Sequence, residues 1–143
     1  MRLYHYTGKA DYLQRAEQVL YLVRQHMEQQ PFGVGSLLTT LDFYVRKPQE
    51  IVLIGTPDAE DTQAMLRALH QQYIPNKVLF QIDPQQVTAA LEALPLLRDV
   101  LAGKAQVDGK ATVYVCHNFT CSLPVTDPEA LTTLFARPAN ATL

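Results

Sequence analysis

The densest group of chemically capable side chains is Cys116-His117-Asn118-Phe119-Thr120-Cys121, which holds the only two cysteines of the 143-residue chain. Two thiols with an imidazole between them could form a redox couple, with His117 lowering one thiol pKa, or supply half of a metal site. The spacing suits neither. Thioredoxin-like centres separate their cysteines by two residues at a helix start. A zinc site needs about four ligands, and His5, His26 and His70 are distant in sequence. The plainer reading makes Cys116 a small buried hydrophobe at the end of a strand and Cys121 a packed loop residue, since free cysteine is among the most buried residue types. That reading is preferred. Cys116, His117 and Cys121 stay as candidates for catalysis, and no metal or cofactor is expected.

Gly55-Thr56-Pro57-Asp58 is a second candidate, because a strand end that opens a helix offers backbone N–H groups and a helix dipole to an anion. The glycines of a dinucleotide fingerprint are missing, however, and Asp58, Glu60 and Asp61 would repel a phosphate while favouring the helix start. Gly55, Thr56 and Asn118 therefore remain candidates only for a small ligand at the carboxyl edge of a sheet. His26 and His70 sit in helical stretches without a role, and Tyr4-His5-Tyr6 is expected to pack on a neighbouring helix. No Ser-His-Asp set, carboxylate pair or phosphate loop stands out. Asn118-Phe119-Thr120 and Asn140-Ala141-Thr142 match the glycosylation acceptor pattern, which carries no weight without a secretion signal.

The elements that must position these residues follow from periodicity. Leu13, Ala16, Leu20, Val23 and Met27 recur at helical steps from Ala10 to about Gln29, Pro31 ends that helix, and Leu37, Leu38, Leu41 and Val45 mark another from about Gly35 to Tyr44. The short link between them predicts an αα-hairpin over residues 1–47. From residue 48 the grammar becomes strand-then-helix. The run Ile51-Val52-Leu53-Ile54 precedes a helix with Met65, Leu66 and Leu69; Lys77 to Ile82 precedes Asp83-Pro84 and a helix through Val87, Leu91 and Leu94; Ala111 to Cys116 precedes Thr126-Asp127-Pro128-Glu129 and a helix through Leu131, Leu134 and Phe135. Three such units predict an α/β fold with a small, mainly parallel sheet of three to four strands, flanking helices and right-handed crossovers over residues 48–143. Both parts are expected to form one compact unit. Asp108-Gly109 is a turn signal, and Pro138 onward is expected to fray.

Bulk properties narrow the functional classes. Twelve basic and fourteen acidic residues leave a net charge of −2 with no basic block, which argues against a nucleic-acid partner. Arg15, Glu17, Arg24 and His26 interrupt the early apolar positions, so neither a secretion signal nor a membrane span is expected, and a cytoplasmic location is.

Glu50 to Gly55, Ile74-Pro75-Asn76-Lys77-Val78 and above all Ala111 to Pro124 with Thr126-Asp127-Pro128 resemble the carboxyl end of one family. It is the long thioredoxin-domain-containing family that includes the spermatogenesis-associated thioredoxin-like proteins. Leu3 to Leu41, with Thr7-Gly8 and Pro31, is similar to the last helices of that family's α/α barrel. The resemblance implies an order of thioredoxin-like domain, toroid similar to N-acylglucosamine 2-epimerases and glycoside hydrolases, and a closing α/β segment, to which this chain corresponds. Neither a thioredoxin site nor a sugar site carries over to any residue here, and the matching cysteine pair receives no role. The expectation is a non-catalytic module, packing through its N-terminal helices on a toroid, a partner chain or a second copy. The alternative is a thiol redox or metal-linked component using Cys116 and Cys121.

Overall fold

The computed structural model describes residues 1–118 and 120–136. The fraying expected from Pro138 onward, and the acceptor pattern at Asn140, fall outside them. In chain order the helices are α1 (Arg2–Thr7), α2 (Ala10–Gln29), α3 (Gly35–Arg46), α4 (Glu60–Gln71), α5 (Val87–Ala93), α6 (Leu97–Leu101) and α7 (Pro128–Ala136). The strands are β1 (Gln49–Ile54), β2 (Lys77–Ile82), β3 (Thr112–His117) and β4 (Thr120–Cys121), arranged β2-β1-β3-β4.

The fold is α/β, but the sheet is mixed rather than mainly parallel. β1 and β2 are parallel from Gln49↔Lys77 to Ile54↔Ile82, whereas β3 runs antiparallel to β1 from Ile54↔Thr112 to Glu50↔Cys116, and β4 antiparallel to β3. The reason lies between β2 and β3. A parallel crossover must carry the chain back along a six-residue strand, about 20 Å. Pro95 breaks the connecting helix, leaving α5 with seven residues, about 10 Å, and α6 with five. The two short helices pack on each other and return the chain to the sheet end it left. There Asp108 (φ 51°) and Gly109 (φ 69°) form a tight turn closed by the Lys110 N–H to the Val107 carbonyl at 3.0 Å, and β3 starts beside Ile54.

β1 is covered on both faces. Val52 and Ile54 pack with Val78, Phe80, Ile82, Leu97 and Tyr114, and with Phe43 of α3; Ile51 and Leu53 pack with Met65, Leu69, Val113 and Leu131 of the opposite layer. A continuous apolar run suits a strand buried on both sides. At α7, Asp127 accepts the Ala130 N–H at 2.8 Å and Pro128 takes the first helical position, the capping arrangement predicted from sequence. Thr56-Pro57 and Asp83-Pro84 instead form turns ahead of helices that start later, at Glu60 and Val87.

α1 covers the free edge of the sheet. The Tyr6 hydroxyl accepts the Leu79 N–H at 3.4 Å, and Arg2 donates to the Lys77 and Pro75 carbonyls while lying 4.7 Å over the Phe43 ring. Engaging the Leu79 N–H and the Lys77 carbonyl in this way leaves the edge strand fewer groups with which to pair another chain. α2 and α3 pack through a separate cluster of Leu20, Met27 and Val34 with Val23, Leu37, Leu38 and Leu41.

Gly55 marks a tight approach of α4 to the end of β1. A Cβ there would lie 2.4 Å from Thr62 Oγ1 and 3.3 Å from Ala111 Cβ, and Thr62 is fully buried. Gly55→Ala should therefore cost about 1–3 kcal/mol, read as a lower urea midpoint. Adding Thr62→Ala should restore most of it, because that hydroxyl has no hydrogen-bond partner among the described residues.

Candidate functional site

The six residues from Cys116 to Cys121 form a β-hairpin rather than a strand and an open loop. Cys116 pairs with Cys121 and His117 with Thr120, and Asn118, directly after the paired His117, adopts φ 49°. Asparagine tolerates that left-handed conformation better than most residues. The neighbouring Ser122 N–H donates to the Val115 carbonyl at 2.8 Å, which makes Cys116 and Cys121 a pair without backbone hydrogen bonds of its own. Such pairs bring opposing Cα atoms closest, here 3.9 Å. The two sulfurs are bonded, and neither cysteine is a free thiol.

This corrects the expectation of two unlinked cysteines. A sequence separation of five suits a cross-strand pair one step beyond a tight reversal, and Asn118 is the turn signal in the sequence. Cys116 is buried in the cluster that holds Phe43 and Tyr114, and Cys121 is exposed. The bridge thus joins the core to the surface of the last strand. His117 takes no part in it, since its Nε2 lies 3.4 Å from the Arg46 carbonyl and adjacent strand residues point to opposite faces. Among the described residues, no three His, Cys, Asp or Glu side chains are grouped to hold a metal ion.

The antiparallel course of β3 separates the ligand candidates. Gly55 and Thr56 follow Ile54 at the end of the sheet where β3 begins, and Asn118 lies beyond its far end, about 20 Å away along a six-residue strand. Gly55 is buried and spends its N–H on the Ile82 carbonyl at 3.0 Å, and Thr56 O accepts from Ala59 in a turn. The acids nearby do structural work at the same place. Asp61 accepts the Ala111 N–H at 2.7 Å and the Thr62 N–H at 2.8 Å, tying the start of α4 to the start of β3, and the Ala111 bond holds its carboxyl below the ordinary value of 3.8.

At the other end of the chain, His5 stands edge-on to Tyr4 and Phe43 with ring centres 5.2 and 5.5 Å away. Burial, then the N-terminal ammonium and Arg2, push its pKa below 6.5. It packs against α3, in line with the expectation for the Tyr4-His5-Tyr6 cluster. His26 and His70 lie in α2 and α4 at exposed positions.

Closing a loop as short as residues 116–121 is worth about 2 kcal/mol to the folded state on chain-entropy grounds. Cys121→Ser should therefore lower the unfolding free energy by about that amount in urea titrations. Dithiothreitol should weaken the unmodified chain equally and leave the variant unchanged.

The chain is similar to known proteins over most of its length. It is 33% identical over 128 residues to spermatogenesis-associated protein 20 of Mus musculus and to that of Rattus norvegicus, and 31% identical to that of Homo sapiens. In each case the match covers 90% of this chain but 16% of the relative, so the chain spans less than a fifth of the length of the curated relatives it matches. No family model and no solved structure matches it. Over that segment the chain is homologous to spermatogenesis-associated protein 20.

Proposed function

We infer that the chain is a non-catalytic α/β module of the thioredoxin-domain-containing family of which spermatogenesis-associated protein 20 is a relative, and that it packs against a helical toroid or a partner chain. On this reading residues 1–47 are a helical hairpin equivalent to the end of the toroid, residues 48–143 are the α/β segment, and the two form one compact unit in the cytoplasm.

The observation that carries the reading is the double apolar face of α2. One stripe runs through Leu13, Ala16, Leu20, Val23 and Met27, of which Leu20, Val23 and Met27 join the cluster shared with α3 while Leu13 and Ala16 are half-buried. Beside it, Tyr12, Val19 and Leu22 recur at seven- and three-residue steps along one flank, with Val19 48% and Leu22 79% exposed. A helix apolar over so wide an arc belongs between two layers, and here one layer is missing. Phe32, Tyr44 and Val45 add exposed apolar surface on the adjoining turn and helix. Relatives much longer than this chain have ample sequence to supply the other layer.

A second reading is a thiol redox component, supported by the Cys116–Cys121 bond with its exposed Cys121 end. A reducing cytoplasm would make the bond transient, as redox-active bridges are.

Light scattering coupled to size exclusion separates the readings. The module reading expects a solution mass above the 16.1 kDa of one chain, unchanged by reductant, and a return to one chain in a Val19→Glu, Leu22→Glu variant. A mass of 16.1 kDa with no binding of a hydrophobic dye would sink it, and a mass that changes with reductant would favour the redox reading.

A further inference from the structure

A cavity of about 440 Å³ opens at the carboxyl ends of the parallel pair β1 and β2, roofed by α5 and α6. That is the place where open α/β sheets hold ligands, and the volume lies in the usual range of about 300–1,000 Å³ for such sites. Its walls are aliphatic, with Ile54 and Ile82 from the strand ends and Leu91 and Leu101 from the helices. Its charged and amide side chains are the two cations Arg98 and Lys104 with Gln106, and no acid among the described residues lines it. The ion pairs among the described residues are Arg24–Glu28 and Arg46–Asp42, so neither lining cation is matched by a carboxylate there. Lys104 Nζ donates to the Val100 carbonyl at 2.8 Å and keeps its other protons for a further acceptor. The loop that carries it is held in place, because the Tyr114 hydroxyl donates to the Ala105 carbonyl at 2.9 Å and accepts the Ala105 N–H at 3.3 Å.

We propose that this cavity binds a small amphipathic carboxylate, a medium-chain fatty acid in chemical class, with its tail among Ile54, Ile82, Leu91 and Leu101 and its carboxylate between Arg98 and Lys104. Aliphatic walls exclude a fully polar anion, which would gain nothing from them, and paired cations select against a cationic amphiphile. Each methylene buried adds affinity, and the charge-assisted bonds at the rim set the orientation. The candidates Gly55, Thr56 and Asn118 contribute nothing to this lining.

Calorimetric titration of the full chain with octanoate, octanol and octylamine tests the site. Octanoate should bind saturably at one site, octanol at least about tenfold more weakly, and octylamine not measurably. Arg98→Gln with Lys104→Gln should weaken octanoate about tenfold and leave octanol unchanged. Leu91→Trp should fill the cavity and abolish both. Octylamine binding as tightly as octanoate, no saturation at millimolar octanoate, or octanoate affinity unchanged in the double Gln variant would overturn the proposal. Arg98 is exposed and Lys104 half-buried, so that variant should keep its fold and remains a usable test even if Leu91→Trp does not.

Discussion

Burial of β1 on both faces and both edges is the constraint on which the other elements depend. Ile51, Val52, Leu53 and Ile54 have almost no exposed surface, and the strand pairs with β2 on one side and β3 on the other. Each further element is placed by what it covers. α5 and α6, with Phe43 of α3, close one face; α4 and α7 close the other; α1 caps the β2 edge through Tyr6 and Arg2. The disulfide secures the opposite edge by joining β4 to β3. Only α2 and the outer surface of α3 lie beyond this scheme, in a cluster of their own.

The separation explains where sequence reading succeeded. Apolar runs and helical steps locate α2, α3, α4 and the three main strands because each buries a stripe against the same core, and Asp127-Pro128 announces α7 because its capping bond is local. Strand direction was not legible. It depends on whether the segment from Asp83 to Lys110 can span the sheet, and that turned on one proline, Pro95, splitting a stretch whose apolar spacing at Val87, Leu91 and Leu94 reads as one helix. The short β4 was missed for a related reason. Two residues paired across a tight turn show no periodicity, and only the cysteine spacing and Asn118 betray them.

The candidate site shows the same division. The cysteines were legible as a pair, but their bond follows from register, which a single sequence displays weakly. Gly55 and Thr56 were placed correctly at a strand end, and the reversal of β3 then carried Asn118 to the other side of the molecule. The lining of the α5–α6 cavity draws on residues from Ile54 to Gln106 that share no motif, so pattern alone could not have assembled it. What the sheet needs for stability it already contains, and the helical layer is where apolar surface remains in excess.

The most direct test of that account is native-state amide exchange, resolved by residue, on the single-chain form of the protein. β1 amides should exchange only through global unfolding while those of α2 exchange through a local opening of much lower free energy, because Val19 and Leu22 leave one flank of α2 exposed. Protection of α2 equal to that of β1 would contradict it, and would mean that the helices are complete without a partner.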